Sequence, residues 1–149
     1  MKCLPLLSAL LLSASPALAN DILYLKCDET RVITSKTTWP DGEEVPLERL
    51  DKELFVLKID AKNKRRIINR TEHEDIVVRG NEAIFSEVYE NGNVIFTRKI
   101  RTMLSPPYAR YGKGKTVVKP PSPPQVIDAV LTANCAKIDS AEFDEFLNQ

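Results

Sequence analysis

The strongest constraint on the fold is a pair of turn dipeptides, Gly80-Asn81 and Asn91-Gly92, each placed between hydrophobic runs. Glycine and asparagine supply the positive backbone φ angles that two-residue β-hairpin loops require. The runs around these dipeptides alternate polar and apolar residues with a period of two, which is typical of β-strands. The sequence therefore predicts a three-stranded antiparallel meander over about 74–103.

The alternation also assigns the side chains of this meander to its two faces. With Asn91-Gly92 as the loop, Glu87 should lie opposite Phe96. Four residues of one face form the possible barrel interior: Phe85, Glu87, Phe96 and Arg98. Glu87 and Arg98 are charged intrusions on this face, so they either form an ion pair at the rim of a core or orient a polar group of a ligand.

Strand patterns dominate the rest of the chain, and a clear helical pattern occurs only near its end. Asp139 and Glu142 form a capping box that predicts a short terminal helix with Phe143 on its apolar side. The stretch 124–134 fits either a helix or a closing strand. We therefore expect a mainly β, single-domain antiparallel meander that closes as a small barrel or strongly curved sheet, with a short C-terminal helix and a Pro-rich loop.

Six prolines lie between Pro106 and Pro124, where the strand pattern stops. Proline has no backbone N–H to donate and is confined to the edges of sheets. The residues between the first two and the last four of these prolines, 108–119, include two glycines and three lysines. The sequence thus predicts an extended Pro/Gly/Lys-rich loop over 105–124.

The first 19 residues have the features of a cleaved signal peptide. Lys2 precedes a short apolar run, and Ala17-Leu18-Ala19 matches the pattern that signal peptidase cleaves. The apolar run is shorter than the roughly 20 residues that span a bilayer. We expect residues 20–149 to form one β-rich domain without a transmembrane segment, exported to the periplasm or secreted.

Two cysteines, Cys27 and Cys135, remain after this cleavage. An even number of cysteines in an oxidising compartment indicates a disulfide, here between the first and last elements of the domain. Two free thiols or an intermolecular bridge are the alternatives. With His73 as the only histidine, the chain does not have the ligands of a four-coordinate zinc site, so we expect no metal.

Positive charge is concentrated in one third of the chain. Residues 91–127 contain seven lysines and arginines and no acidic residue. Such a surface can attract an anionic glycan, a lipid head group or an acidic protein, whereas a chain without net positive charge is not expected to bind nucleic acid. The possible binding surface comprises Arg98, Lys99, Arg101, Tyr108, Arg110, Tyr111, Lys113, Lys115 and Lys119.

No catalytic constellation stands out in the sequence. His73, beside Glu72 and Glu74, is a candidate general base but is more typical of a surface histidine. We expect no enzyme activity, no catalytic residues and no cofactor. The leading hypothesis is a non-catalytic binding or interaction module that uses the basic strand and the Pro/Tyr/Lys loop. The alternative is a carrier of a small amphipathic ligand inside the barrel.

One short stretch gives a family resemblance. Tyr24-Leu25-Lys26-Cys27, together with the second cysteine near the end, resembles the bacterial lysozyme-inhibitor barrels, which are small periplasmic proteins closed by one disulfide. The resemblance covers only these residues and implies an inhibitor of a secreted hydrolase. The Ser-Gly-x-x-Tyr inhibitory loop of that family is absent, and this chain is longer.

Overall fold

The computed structural model describes residues 22–73 and 76–149, so the predicted signal peptide at 1–19 lies outside the described residues. The predicted β fold is confirmed: the described strands form one antiparallel sheet that is nearly closed into a barrel, and a short helix follows. In chain order the elements are β1 (Ile22–Thr38), β2 (Glu44–Asp60), β3 (Arg65–Ile68), β4 (Thr71–His73), β5 (Ile76–Arg79), β6 (Glu82–Asn91), β7 (Val94–Met103), β8 (Ala109–Val118), β9 (Gln125–Ile138) and α1 (Ser140–Leu147).

The first and last strands of the chain are neighbours in this sheet. The strand order is β4-β3-β2-β1-β9-β8-β7-β6-β5, and Cys27 of β1 lies opposite Cys135 of β9. These two cysteines form the predicted disulfide, whose partners are 108 residues apart. In chain-entropy terms, closing a loop of that length stabilises the fold by about 4 to 5 kcal/mol.

The hydrophobic core fills the inner face of the sheet. Leu25 of β1, Leu57 of β2 and Ile100 of β7 are almost completely buried there. Residues at every second position of a strand share a face, so the side chains two and four positions from these core residues also point inward.

Helix α1 covers a patch on the outer face. The Asp139 side chain accepts a hydrogen bond from the Glu142 N–H at 2.8 Å, which confirms the predicted helix start. Phe143 packs against Val56 and Ile138, which point outward from β2 and β9. The helix thus buries apolar side chains that the barrel itself leaves outside.

The predicted pairing of the central meander is correct at its first loop and wrong at its second. Arg79 pairs with Glu82 around Gly80-Asn81, as expected. In the next hairpin Asn91 pairs with Val94, so Gly92-Asn93 forms the loop and Glu87 lies opposite Arg98 instead of Phe96. Gly92 has a φ of 58° and occupies the first loop position, where a type II′ turn requires glycine. The resulting shift of two residues leaves every side chain on its predicted face.

The predicted loop over 105–124 is wrong in its middle. Ala109–Val118 forms β8, which pairs with both β7 and β9. The prolines lie only in the segments on either side of this strand, 105–108 and 119–124, so none interrupts its hydrogen bonds. The stretch 124–134, which fits helix or strand in sequence, belongs almost entirely to strand β9, from Gln125 onward.

Gly112 permits a close approach that the sequence pattern does not reveal. A Cβ atom at Gly112 would lie 2.8 Å from a side-chain carbon of Ile100 and 2.8 Å from one of Leu131. These contacts are too short for carbon atoms, so a larger residue would push the core apart. Glycine at this position therefore indicates tight packing rather than a flexible loop.

We expect Gly112→Ala to lower the free energy of unfolding by about 1 to 3 kcal/mol through overpacking. Gly114→Ala is the matched control on the same strand, because the nearest atom to its Cβ would be 3.6 Å away. That substitution should leave stability unchanged or slightly higher, since alanine restricts the unfolded chain. Urea unfolding followed by circular dichroism measures both effects. Equal losses in the two variants would contradict the close packing at Gly112.

Candidate functional site

Charged side chains occupy inward positions next to the apolar core. Glu29 of β1 is 1% exposed, and Arg66 of β3 and Arg110 of β8 are each 5% exposed. Arg110 Nη1 donates a hydrogen bond to Glu29 Oε2 at 2.5 Å, and Arg31 Nη2 donates to the other carboxylate oxygen at 2.7 Å. Glu29 therefore has both oxygens bound by arginines, which offsets the cost of burying its charge.

A second group of charges surrounds the Phe85 ring. The guanidinium carbon of Arg66 lies 3.4 Å from the ring centroid, and that of Arg98 lies at 5.3 Å. The His73 ring centroid is 6.0 Å away. Arg98 Nη2 also donates to Glu87 Oε2 at 2.8 Å, so these directly opposed residues form an ion pair. Phe85 thus provides an aromatic face for two arginines.

Several arginine donors in this interior have no partner. Among the described residues, no hydrogen-bond acceptor is present for the buried atoms Arg66 Nε, Arg66 Nη2, Arg98 Nε and Arg110 Nε. A buried donor without an acceptor costs about 1 to 3 kcal/mol, and native proteins contain few of them. We call Arg66, Arg98 and Arg110 the interior arginine cluster. Its free donors are an arrangement that can bind an oxyanion.

The pKa values of Arg66, Arg110 and His73 reflect burial and the charges of their neighbours. Burial and then the charges of Arg110 and Arg98 lower the pKa of Arg66 to about 9, so this guanidinium remains protonated at neutral pH. Burial likewise lowers the pKa of Arg110, although Glu29 acts in the opposite direction. Burial and the charge of Arg66 lower the pKa of His73, which favours its neutral form.

A cavity of about 290 Å³ is lined by Arg98 and Arg110 of the interior arginine cluster, whereas Arg66 is not among its lining residues. The strands that line it are β1 to β4, β7 and β8. The volume is just below the usual range for small-molecule sites. Among its lining residues, the charged and titratable ones are Glu29, Arg31, Glu53, His73, Arg98 and Arg110.

The four predicted interior residues lie on one face of the sheet. Phe85 and Glu87 of β6 lie opposite Ile100 and Arg98 of β7, and Phe96 shares the face of Arg98 two positions away.

The predicted binding surface is divided into separate groups in the structure. Arg98 and Arg110 point inward, Tyr108 packs against the core, and Lys119 lies beyond β8. The remaining members of the predicted binding surface point outward from β7 and β8; they are Lys99, Arg101, Tyr111, Lys113 and Lys115.

Three residues of this site, Glu29, Arg31 and Arg66, were not predicted from the sequence. The signal for Glu29 was available, because it continues the alternation of Leu25 and Cys27 and therefore shares their inward face. Arg66 was harder to identify, since β3 has only four residues. A strand that short offers too few positions to define a face.

Residues 22–73 and 76–149 contain no helix that is long and apolar enough to cross a membrane. The same residues contain no group of three or more histidine, cysteine, aspartate or glutamate side chains that could hold a metal ion.

Comparison of the chain with protein-family models, curated proteins and solved structures found no match.

Because Arg66 is buried without a carboxylate partner among the described residues, we expect Arg66→Met to raise the free energy of unfolding by about 1 kcal/mol. Methionine has a similar length and keeps contact with the Phe85 ring. Glu29→Gln should have the opposite effect and lower stability by about 3 kcal/mol, since it removes the carboxylate that neutralises Arg110. Urea unfolding of both variants measures the difference. A loss of several kcal/mol in Arg66→Met would show that Arg66 supports the fold.

Proposed function

We propose that this protein is a non-catalytic binding protein that holds a small amphipathic anion inside the barrel. The observation that carries the proposal is the set of buried, unpartnered N–H groups on Arg66, Arg98 and Arg110. Carboxylate, phosphate and sulfate groups present several acceptor oxygens to guanidinium donors, often in pairs. A ligand with one such group would satisfy these donors.

The charges around the cavity favour an anion over a cation. Glu29 and Glu87 already form ion pairs with arginines. Arg66, by contrast, forms no ion pair with the residues described, and its burial followed by the charges of Arg110 and Arg98 lowers its pKa. A bound anion would reduce this repulsion, whereas a cation would increase it.

The apolar part of the ligand has a surface available on the same inner face. Phe96 is half-buried and lies two positions from Arg98 along β7, toward the Gly92-Asn93 loop. The guanidinium carbon of Arg98 is 5.6 Å from the centroid of the Phe96 ring. A short hydrocarbon chain could lie against Phe96 while its anionic group contacts Arg98 and Arg66.

The proposal assigns binding rather than catalysis to these residues. Guanidinium groups remain protonated at neutral pH and bind anions more readily than they transfer protons. The Cys27–Cys135 disulfide fits a protein exported to an oxidising compartment, and we place this binding function in the periplasm or outside the cell.

Octanoate and octylammonium are suitable probes because they have the same hydrocarbon chain and opposite charges. We expect calorimetric titration of the unreduced protein to show octanoate binding at least about tenfold tighter than octylammonium binding, equivalent to about 1.4 kcal/mol. Arg66→Met should abolish the preference for octanoate, because it removes two of the unpartnered donors.

The control for charge is the double variant Lys99→Gln/Lys113→Gln. It removes two positive charges from the outer face and leaves the interior arginine cluster intact, so octanoate binding should be unchanged. Equal affinity for the two probes would contradict the proposal. So would octanoate binding that survives Arg66→Met at full strength.

The outer basic face supports a second candidate function, contact with an anionic polymer such as a glycan. Lys99, Arg101, Tyr111 and Lys113 line a pocket of about 410 Å³ on the outer face of β7 and β8, which residues of β9 complete. Positive charge and an exposed tyrosine suit a sulfated or carboxylated sugar chain.

Retention on a heparin column tests this second candidate. We expect Lys99→Gln/Lys113→Gln to elute at a clearly lower salt concentration than the unmodified protein, because two lysine contacts with the sulfate or carboxylate groups of heparin are lost. Arg66→Met should elute as the unmodified protein does. Unchanged retention of the double lysine variant would contradict a role for the outer face.

A further inference from the structure

Most of strand β2 has an open edge. The strand runs from Glu44 to Asp60, but β3 pairs only with Leu57–Asp60. Within residues 22–73 and 76–149, no strand pairs with the earlier part of β2 on that side. Nearly three quarters of a long strand therefore presents one row of backbone groups to solvent, which is a template for pairing with another strand.

The direction of the free backbone groups follows from Val56. Its N–H bonds Asn69 Oδ1 at 3.1 Å, and its carbonyl accepts from the Asn69 N–H at 2.9 Å, both on the open side. Backbone groups alternate along a strand, so those of Glu48, Leu50 and Lys52 point to the same side. Pro46, which has no N–H, occupies an equivalent position, as is usual at an edge.

Apolar side chains are exposed along this edge. Leu47 is 64% exposed, Leu50 is 59% exposed and Leu54 is 52% exposed. Three exposed leucines within eight residues of an open strand edge are unusual for an edge that remains in water.

The sequence at the middle of the edge is complementary to itself. When two copies of Glu48-Arg49-Leu50-Asp51-Lys52 run antiparallel with Leu50 opposite Leu50, each Glu48 faces Lys52 and each Arg49 faces Asp51 of the other copy. Four attractive pairs form in this register. Shifting it by one step in either direction places Arg49 opposite Arg49 or Asp51 opposite Asp51, which is repulsive.

We propose that a second copy of this chain pairs with the open edge of β2 to form a twofold-symmetric dimer with one continuous sheet. In this register, Glu48 and Lys52 exchange backbone hydrogen bonds across the interface, and so do the two Leu50 residues. The two leucines contact each other on one face. On the other face, the Arg49 to Asp51 ion pair within each chain, 2.6 Å long, adjoins that of the second copy.

The same charges disfavour other partners. A strand that lacks a lysine opposite Glu48 or a glutamate opposite Lys52 leaves these charges unpaired. The segment 48–52 contributes no residue to the lining of the cavity beside the interior arginine cluster, so substitutions within it leave that lining unchanged.

Charge reversal at two positions gives a sharp test by analytical ultracentrifugation. Glu48→Lys alone places like charges opposite each other at two symmetric sites, and Lys52→Glu alone does the same with negative charge. We expect the unmodified protein to be a dimer and each single variant to dimerise at least about tenfold more weakly. Both positions are exposed, so the variants should fold normally, which circular dichroism checks.

The decisive sample is an equal mixture of the two single variants. Each Glu48→Lys chain is complementary to a Lys52→Glu chain, so the mixture should regain the dimer, and so should the double variant Glu48→Lys/Lys52→Glu. A monomeric unmodified protein at millimolar concentration would overturn the proposal. A dimer that is unaffected by either single variant, or a mixture that stays monomeric, would overturn it equally.

Cysteine cross-linking tests the register itself. Leu50→Cys places two cysteines directly opposite each other at the twofold axis, within the distance that a disulfide spans. We expect it to form a covalent dimer under oxidising conditions, whereas Lys52→Cys should not, because its symmetry mates lie four residues apart. The reverse result would assign a different register and contradict the proposal.

Discussion

The pairing of β1 with β9 is the interaction on which the rest of the structure depends. It joins the two ends of the domain, and the Cys27–Cys135 disulfide fixes its register. The position two residues after Cys27 is the inward-facing Glu29, which meets Arg110 from β8. The bond that stabilises the barrel thus also determines where a carboxylate and an arginine come together in the interior. Strand β1 therefore both closes the sheet against β9 and supplies a residue of the site.

The interior of the barrel combines a well-packed half with a polar half that is costly for stability. Leu25, Leu57 and Ile100 fill one part, whereas Arg66 and Arg110 are buried nearby with donors that the described residues do not satisfy. Folding alone favours an apolar residue at such positions, because a buried charge without a full set of partners destabilises the native state. Arginines at these positions support the proposal of a binding site, since functional sites commonly reduce stability.

Local sequence signals predicted much of the fold. The parts that they did not predict depend on packing between residues far apart in sequence. The Gly80-Asn81 loop and the Asp139 cap depend on neighbours in sequence, and both were predicted. The strand over 109–118 was read as loop because Gly112 and the flanking prolines suggest flexibility. The close contacts with Ile100 and Leu131, twelve and nineteen residues away, explain that glycine. The site itself depends on contacts between residues far apart in sequence, such as Glu29 and Arg110. The polar and apolar pattern within one strand does not predict such contacts.

A crystal structure of the unreduced protein grown with octanoate is the sharpest test of anion binding inside the barrel. We expect electron density for the carboxylate within hydrogen-bond distance of Arg66 Nη2 and of Nε of Arg98 or Arg110, with the hydrocarbon chain near Phe96. An empty interior at saturating octanoate would contradict it. Carboxylate density found only at the outer lysines of β7 and β8 would contradict it as well and would favour the outer face as the binding surface.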